Sequence, residues 1–356
     1  MSSPWADLFL LAAKTISFHS GILKKIASLR GLNHRLLAFE RIIDPEKLPY
    51  PIASNRYITP EHFENLLRWV ARHMTVMPLE DLIEARSHNH KINPLTVSLI
   101  LEGAYLEHYF IALPIIQELK LPVTIFPATA YLGTAEMLWQ DKLALALLTC
   151  FRSRKKILRD LSEQGLTKDK VDPTRDLLFR LLEKESDNDF YLALDELTEA
   201  LAQSSPENRF IILGLYGELA RNYAELKSDV TFMSWQHLTE LSNNHVTIGL
   251  STHTFRPLVE LGTDDLPKEI EHTLNTLREH KLYANNSFLP PQGKIQVRFN
   301  QAIRDAGVAA ILYHQNQQYN LRECVCVPVL HCSEASNFSP RELLEDGWLS
   351  RKRGSI

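Results

Sequence analysis

Thr96-Val-Ser-Leu-Ile-Leu-Glu-Gly-Ala-Tyr-Leu-Glu-His-Tyr109 is the stretch whose reading decides the fold. Its first half is an unbroken apolar and β-branched run, the pattern of a strand buried on both faces of a parallel sheet. Its second half turns polar at Glu102 and Gly103, where such a strand ends. Just downstream, Ala112-Leu-Pro-Ile-Ile-Gln-Glu-Leu119 carries a helical apolar period, and Val123-Thr-Ile-Phe126 is again strand-like. Strand, helix, strand in this rhythm predicts right-handed βαβ units in a parallel sheet or barrel.

Working outward, Leu36-Leu-Ala-Phe-Glu-Arg-Ile-Ile43 reads as a first strand. Thr59-Pro-Glu-His-Phe-Glu64 supplies a cap residue, a proline at the first helical position and first-turn acids, so a helix runs from there to about His73. A short extended segment follows over 74–79, and Pro78-Leu-Glu-Asp81 starts another helix. From about 137 to 227 helical periods take over, at 143–151, 155–161, 174–184 and 190–202, which marks a helical insertion. Alternation resumes with Val246-Thr-Ile-Gly249, a helix over 266–280, a short strand at Asn286-Ser-Phe288, a helix over 297–306, a strand over 309–313 and Cys324-Val-Cys-Val-Pro-Val-Leu330. The expected organisation is N-terminal helices in 1–35, a barrel split between 36–136 and 229–332, the insertion at 137–228 and a polar tail at 333–356.

A chain of 356 residues that is 45% apolar buries a large core. Its net charge of -4 gives no reason to expect a nucleic-acid partner. Four cysteines in this length are too few for a disulfide framework. The apolar run Leu8-Phe-Leu-Leu-Ala-Ala13 follows an acid, lacks a secretory leader's features and falls short of the roughly 20 residues that span a bilayer. A cytoplasmic location follows as the expectation. Between Asp7 and Glu40 there are no acids, while Lys14, Lys24, Lys25, Arg30 and Arg35 are basic. Residues 1–35 therefore read either as helices with a solvated basic face or as a contact with an anionic membrane surface, at its inner face.

Several of these segments, in order, resemble the polysaccharide deacetylase family, the NodB-homology fold of carbohydrate esterase family four. Val97-Ser-Leu-Ile-Leu-Glu-Gly-Ala-Tyr105, Ala112-Leu-Pro114 and Leu121-Pro-Val-Thr-Ile-Phe126 fit that family's strand, Ala-Leu-Pro and next strand without a gap. Tyr131-Leu-Gly-Thr134, Phe232-Met-Ser-Trp235 and Phe288-Leu-Pro-Pro-Gln-Gly293 resemble its later loops and helix start, and Arg322 stands where a late strand often begins with arginine. The likeness covers about 36–330 apart from the insertion, and it implies an α/β fold, a distorted (β/α) barrel of the NodB-homology type with a helical insertion.

The resemblance also implies a reaction: one Asp and two His hold a divalent metal, a second Asp is the base, and metal-bound water attacks an acetamide carbonyl. Carried over without gaps, the base falls on Glu102 and the ligand Asp on Gly103; one residue of slip puts the base on Leu101 and the ligand on Glu102. The histidine positions fall on Ser251 and Phe255, or, if His253-Thr254 is the His-Thr pair, the second falls on Pro257. Neither phenylalanine nor proline can ligate a metal. Glu40 replaces a histidine in the first strand. The resemblance thus implies a catalytically degenerate member that binds a glycan or a partner in polysaccharide or envelope metabolism, with no cofactor. The alternative is a hydrolase of carbon–nitrogen bonds with a rebuilt site, in which Glu40, Glu102 and His253 hold a divalent ion such as zinc. Glu102 is the candidate catalytic residue, and Glu40, Tyr105, Trp235, Ser251, His253, Phe255, Arg256, Pro291 and Gly293 are the candidate ligand-binding residues; the alternative reading has Glu40 and Glu102 solvated or paired with Arg41 and Arg256. Cys324, Cys326, His331 and Cys332 have metal-capable atoms, but the cysteine spacing reads as reduced core thiols on a strand.

Overall fold

The computed structural model describes residues 25, 36–163, 180–202, 204–222, 231–244, 246–314, 317, 319–322 and 324–334. The N-terminal basic stretch apart from Lys25, the helical period before residue 180 and the tail from residue 335 lie outside them. The described chain divides into two compact units, one comprising Met1–Ile43, Ser54–Gly133 and Met233–Ile356, the other Asp44–Ala53 and Thr134–Phe232. The second unit is thus wider than the 137–228 expected from helical periods, and it draws in a loop from beyond the first strand.

In the first unit the strands are β1 (Leu36–Phe39), β2 (Arg41–Ile42), β3 (Tyr57–Ile58), β4 (Thr75–Val76), β5 (Thr96–Gly103), β6 (Val123–Pro127), β7 (Val246–Leu250), β8 (Ala284–Phe288), β9 (Ala310–His314) and β10 (Val325–His331). Seven of them close a parallel barrel in the order β1, β10, β9, β8, β7, β6, β5, with β5 returning to β1 and β4 added beside β5. The fold is therefore the expected barrel. One strand differs from the sequence reading: 36–43 is broken at Glu40 into β1 and a separate pairing of β2 with β3.

Period-two alternation sorts the side chains. Leu37, Phe39, Leu99, Leu101, Val123 and Ile125 pack outward in one core. Leu36, Ala38, Ile100, Phe126, Leu312, Val327 and Val329 form a second cluster, filling the inside of the barrel. Phe126 occupies much of that space: a Cβ on Gly249 would lie 2.2 Å from its ring. Glycine at 249 is thus a packing requirement.

Around the barrel run α1 (Pro60–His73) and α2 (Leu79–Ser87), then α3 (Leu113–Leu119). Thr59 caps α1, its side chain accepting from the His62 amide, as the sequence signal predicts. The second unit holds α4 (Trp139–Arg152), α5 (Arg154–Glu163), α6 (Asp187–Ala202) and α7 (Pro206–Arg221). It has its own core, in which Leu143, Leu147, Leu194, Leu197 and Tyr216 pack with Phe151 stacked on Phe190 at 4.3 Å. Back in the first unit are α8 (Trp235–Asn243), α9 (Asp265–Glu279) and α10 (Asn300–Asp305). The helix expected over 297–306 is shorter, a 3-10 turn at Val297–Phe299 leading into α10. No helix among the described residues is long and apolar enough to cross a membrane.

Replacing Gly249 by alanine should cost about 1–3 kcal/mol by overpacking against Phe126. Chemical denaturation of the variant checks this, and a companion Phe126→Leu change should recover part of the loss.

Candidate functional site at the barrel mouth

Parallel closure brings the C-terminal strand ends to one mouth. Ala38 pairs with His331 and with Ile100, and His314 pairs with Val329, so the inward rows of β1, β5, β9 and β10 end near one another. Glu102 is the inward residue above Ile100, and its carboxylate is buried. His331 Nε2 lies 3.1 Å from Glu102 Oε2, and the His314 ring stacks on the His331 ring with centroids 5.2 Å apart and planes 11° apart. An ionised Glu102 accepts from Nε2–H, which leaves His331 Nδ1 as an acceptor. That Nδ1 is buried and without a hydrogen-bond partner among the described residues. Burial first, then the neighbouring His331 and Lys294, hold the His314 imidazole below its ordinary pKa, against the opposing charge of Glu102.

The tip of β5 is bent by two left-handed residues, Gly103 at φ +94 and Ala104 at φ +63. This turn folds Tyr105 back onto Gly103, and a Cβ there would lie 2.5 Å from Tyr105 Cε2. The ring of Tyr105 is fully buried, with the Arg41 guanidinium 4.5 Å from its centroid. Its hydroxyl donates to Glu40 Oε1 at 3.3 Å, and Arg56 Nε donates to the same oxygen at 3.1 Å. Arg41 is paired with Glu107, both buried. The alternative pairing raised from sequence, Glu40 and Glu102 with Arg41 and Arg256, is thus replaced: Glu40 meets Arg56, Glu102 meets His331, Arg41 meets Glu107, and Arg256 Nη2 meets Glu269 at 3.0 Å. His108 Nε2 donates to the Glu40 carbonyl at 2.8 Å.

The β7 end is committed elsewhere. Ser251 is buried and its hydroxyl donates to the Leu289 carbonyl at 2.9 Å. His253 Nδ1 lies 2.8 Å from Thr129 Oγ1, and its ring meets His272 edge-on at 5.6 Å. Burial and His272 lower the His253 pKa, while Glu269 raises it. Thr254 bonds Glu269 through both its amide and its hydroxyl, and Arg256 completes that cluster. Phe255, at φ +53, is buried. Pro291 is buried, and Gly293, at φ +63, leaves room for the His314 backbone, whose nitrogen would be 2.8 Å from a Cβ. Trp235 lies flat on His280 at 3.9 Å, with Gly133 against its edge.

Of the sequence candidates, Glu40 and Tyr105 share one cluster and His253 and Arg256 another, while Glu102 is joined to two histidines outside the candidate set. In the sequence His331 reads only as a metal-capable neighbour of Cys324, Cys326 and Cys332. Cys324 Sγ donates to the Val308 carbonyl at 3.1 Å, and the Cys326 thiol is raised by burial.

The fold is that of solved polysaccharide deacetylases. Two solved structures align over most of the chain. IcaB from Ammonifex degensii has a TM-score of 0.53 at 11% identity, covering 89% of this chain and 98% of its own. The deacetylase PplD of Streptococcus pyogenes, solved in complex with acetate, has a TM-score of 0.52 at 11% identity, with the same coverages of 89% and 98%. No family model matches the chain, and no curated protein matches it in sequence.

The metal implied by the resemblance is not accommodated by the residues present. Gly103 cannot become a ligand position without moving Tyr105, Ser251 turns its hydroxyl to a carbonyl, and Phe255 is in the core. Among the described residues, no group of three or more His, Cys, Asp and Glu side chains is placed to hold a metal ion.

His108 gives the cluster a pH dependence. Burial pushes its pKa down from 6.5 to about 3, with the Arg41 charge adding to the effect and the bond to the Glu40 carbonyl opposing it. The unfolded chain therefore binds the proton first as pH falls, so the stabilisation is complete above about pH 6.5 and is lost on descending toward pH 3. By pH 5 the loss should be roughly 2 kcal/mol. Denaturation midpoints from pH 7 to 5 should show this slope in the parent and a flatter one in His108→Gln.

Proposed function

We propose that this protein uses a polysaccharide-deacetylase barrel to bind a carbohydrate, without metal-dependent deacetylation and with no cofactor. The observation that carries the reading is the tip of β5: the family's ligand position is Gly103, in left-handed backbone, with the Tyr105 ring where a side chain would begin. The histidine positions support the same conclusion, since Ser251 and Phe255 are both buried. A mouth with one buried carboxylate, two imidazoles and Lys294 nearby offers the mixed donors and acceptors that orient a polar ligand. The sugar class is supported by the fold and by the resemblance; a role in polysaccharide or envelope metabolism rests on the resemblance. Free cysteines support a cytoplasmic place, and the acid-free basic pattern of 1–35 supports a station at the inner membrane surface.

One observation favours a second reading, hydrolysis of an amide such as an N-acetyl group. Glu102 fixes the tautomer of His331, as an acid–base pair requires. Against it, the remaining nitrogen of His331 is closed from solvent.

Metal analysis of the purified protein and a deacetylation assay on chitohexaose decide between the two. The binding reading expects no stoichiometric transition metal, no released acetate, and a calorimetric binding signal that Glu102→Ala weakens by about tenfold, the loss of a charge-assisted contact. Acetate release abolished by Glu102→Ala would install the second reading in its place, and an absence of any binding would overturn the first.

A further inference from the structure

Strand β5 leads, beyond Tyr105, into a π-helical turn at His108–Ala112, with the Leu113 amide bonding the His108 carbonyl. Such turns insert one residue into a helix and re-aim side chains, frequently at functional sites. Here the turn sets Tyr109 against α8, its ring stacked on His237 at 4.3 Å and 24°, and leaves the next residue, Phe110, 61% exposed. Phe110 is not loose on the surface. Its ring stands perpendicular to Tyr109 at 5.1 Å and meets His237 at 5.6 Å and 73°, so one side is braced by two aromatic edges. His237 is itself fixed, because it completes the capping box of α8 with Ser234.

Polar groups border the ring. The Tyr109 hydroxyl donates to Glu240, and Gln236 Nε2 donates to the same carboxylate at 3.0 Å. Gln236 is exposed, and each Glu240 oxygen retains lone-pair capacity beyond these bonds. The Met233 amide, just before the cap, donates to the Ala104 carbonyl at 3.1 Å, so α8 is anchored directly to the β5 tip that carries Glu102.

We infer that Phe110, Tyr109, His237, Gln236 and Glu240 form a second carbohydrate-contacting platform, on which a pyranose stacks its C–H face on Phe110 and hydrogen-bonds through its hydroxyls to Gln236 and Glu240. A pyranose has this divided chemistry, an apolar face rimmed by hydroxyls, and the platform has its complement. A bilayer or an apolar helix would need a wider hydrophobic area than one phenyl ring set among a carboxylate, an amide and a phenol. The inference rests on the carbohydrate reading of the mouth but uses none of the mouth's residues.

The test is isothermal calorimetry of chitohexaose with the parent chain, Phe110→Ala, Phe110→Tyr and Glu102→Ala. Phe110 is exposed, so its truncation leaves the fold intact, which circular dichroism verifies. Phe110→Ala should weaken binding about three- to tenfold, the range of a single aromatic stacking contact, while Phe110→Tyr should bind within about twofold of the parent. Binding that Glu102→Ala weakens and Phe110→Ala leaves unchanged would overturn the platform and leave the mouth standing. Binding lost in Phe110→Ala but indifferent to Glu102→Ala would keep the platform and overturn the mouth. No binding by the parent would remove both.

Discussion

Closure of the barrel is the constraint on which everything else depends. β1 pairs on one edge with β5 and on the other with β10, so a short apolar strand near the start of the described chain joins the first half of the fold to the last. Without it Glu102 and His331, 229 residues apart, would have no reason to meet; with it they lie 3.1 Å apart. The entropy of gathering so distant a pair is met by the apolar layers beneath, where Leu36, Ala38, Ile100, Phe126, Leu312 and Val329 exclude water from the barrel interior. The polar layer is carried on top of the apolar one. That order explains how a carboxylate is kept buried at a strand end with an imidazole as its direct partner.

The same constraint separates framework from chemistry. Residues that face the helices or fill the barrel are fixed by packing, and the fold they build superimposes on deacetylases at 11% identity. Residues at the strand ends answer to the mouth alone. There Glu40, Glu102, Arg41 and Arg256 have each found a partner within the fold, in Arg56, His331, Glu107 and Glu269. These charges are satisfied by one another at the strand ends, where burial would make an unpaired one costly.

Much of the fold was legible because it is local. The β-branched run ending at Glu102, the cap at Thr59 and the Ser234 start of α8 each carry their signal within a few residues, and each was found in place. The change of period marks where the helices α4 to α7 lie, whereas the grouping of Asp44–Ala53 with them depends on Tyr50 packing with distant helices. The break at Glu40 was hidden because both halves of 36–43 are strand-like, and only the pairing of β2 with β3 separates them. The site was less legible. Sequence reasoning singled out Glu102 from its motif position and noted His331 only beside the cysteines, without its pairing to Glu102 and without His314, because both histidines lie at the ends of strands whose register is set by closure. Tyr105, a ligand-binding candidate by its place after the β5 tip, has its ring buried by the turn at Gly103 and Ala104, a bend that the sequence does not announce.

That turn also couples two positions of the chain. An aspartate at position 103 would have to displace the Tyr105 ring and adopt a backbone conformation that suits glycine. Removing Tyr105 first would strip a hydrogen bond from Glu40 and the covering ring from Arg41. Either change alone passes through a less stable chain, so positions 103 and 105 are coupled. The β5 tip acts as a latch: Gly103 and Tyr105 can be exchanged together far more readily than one at a time.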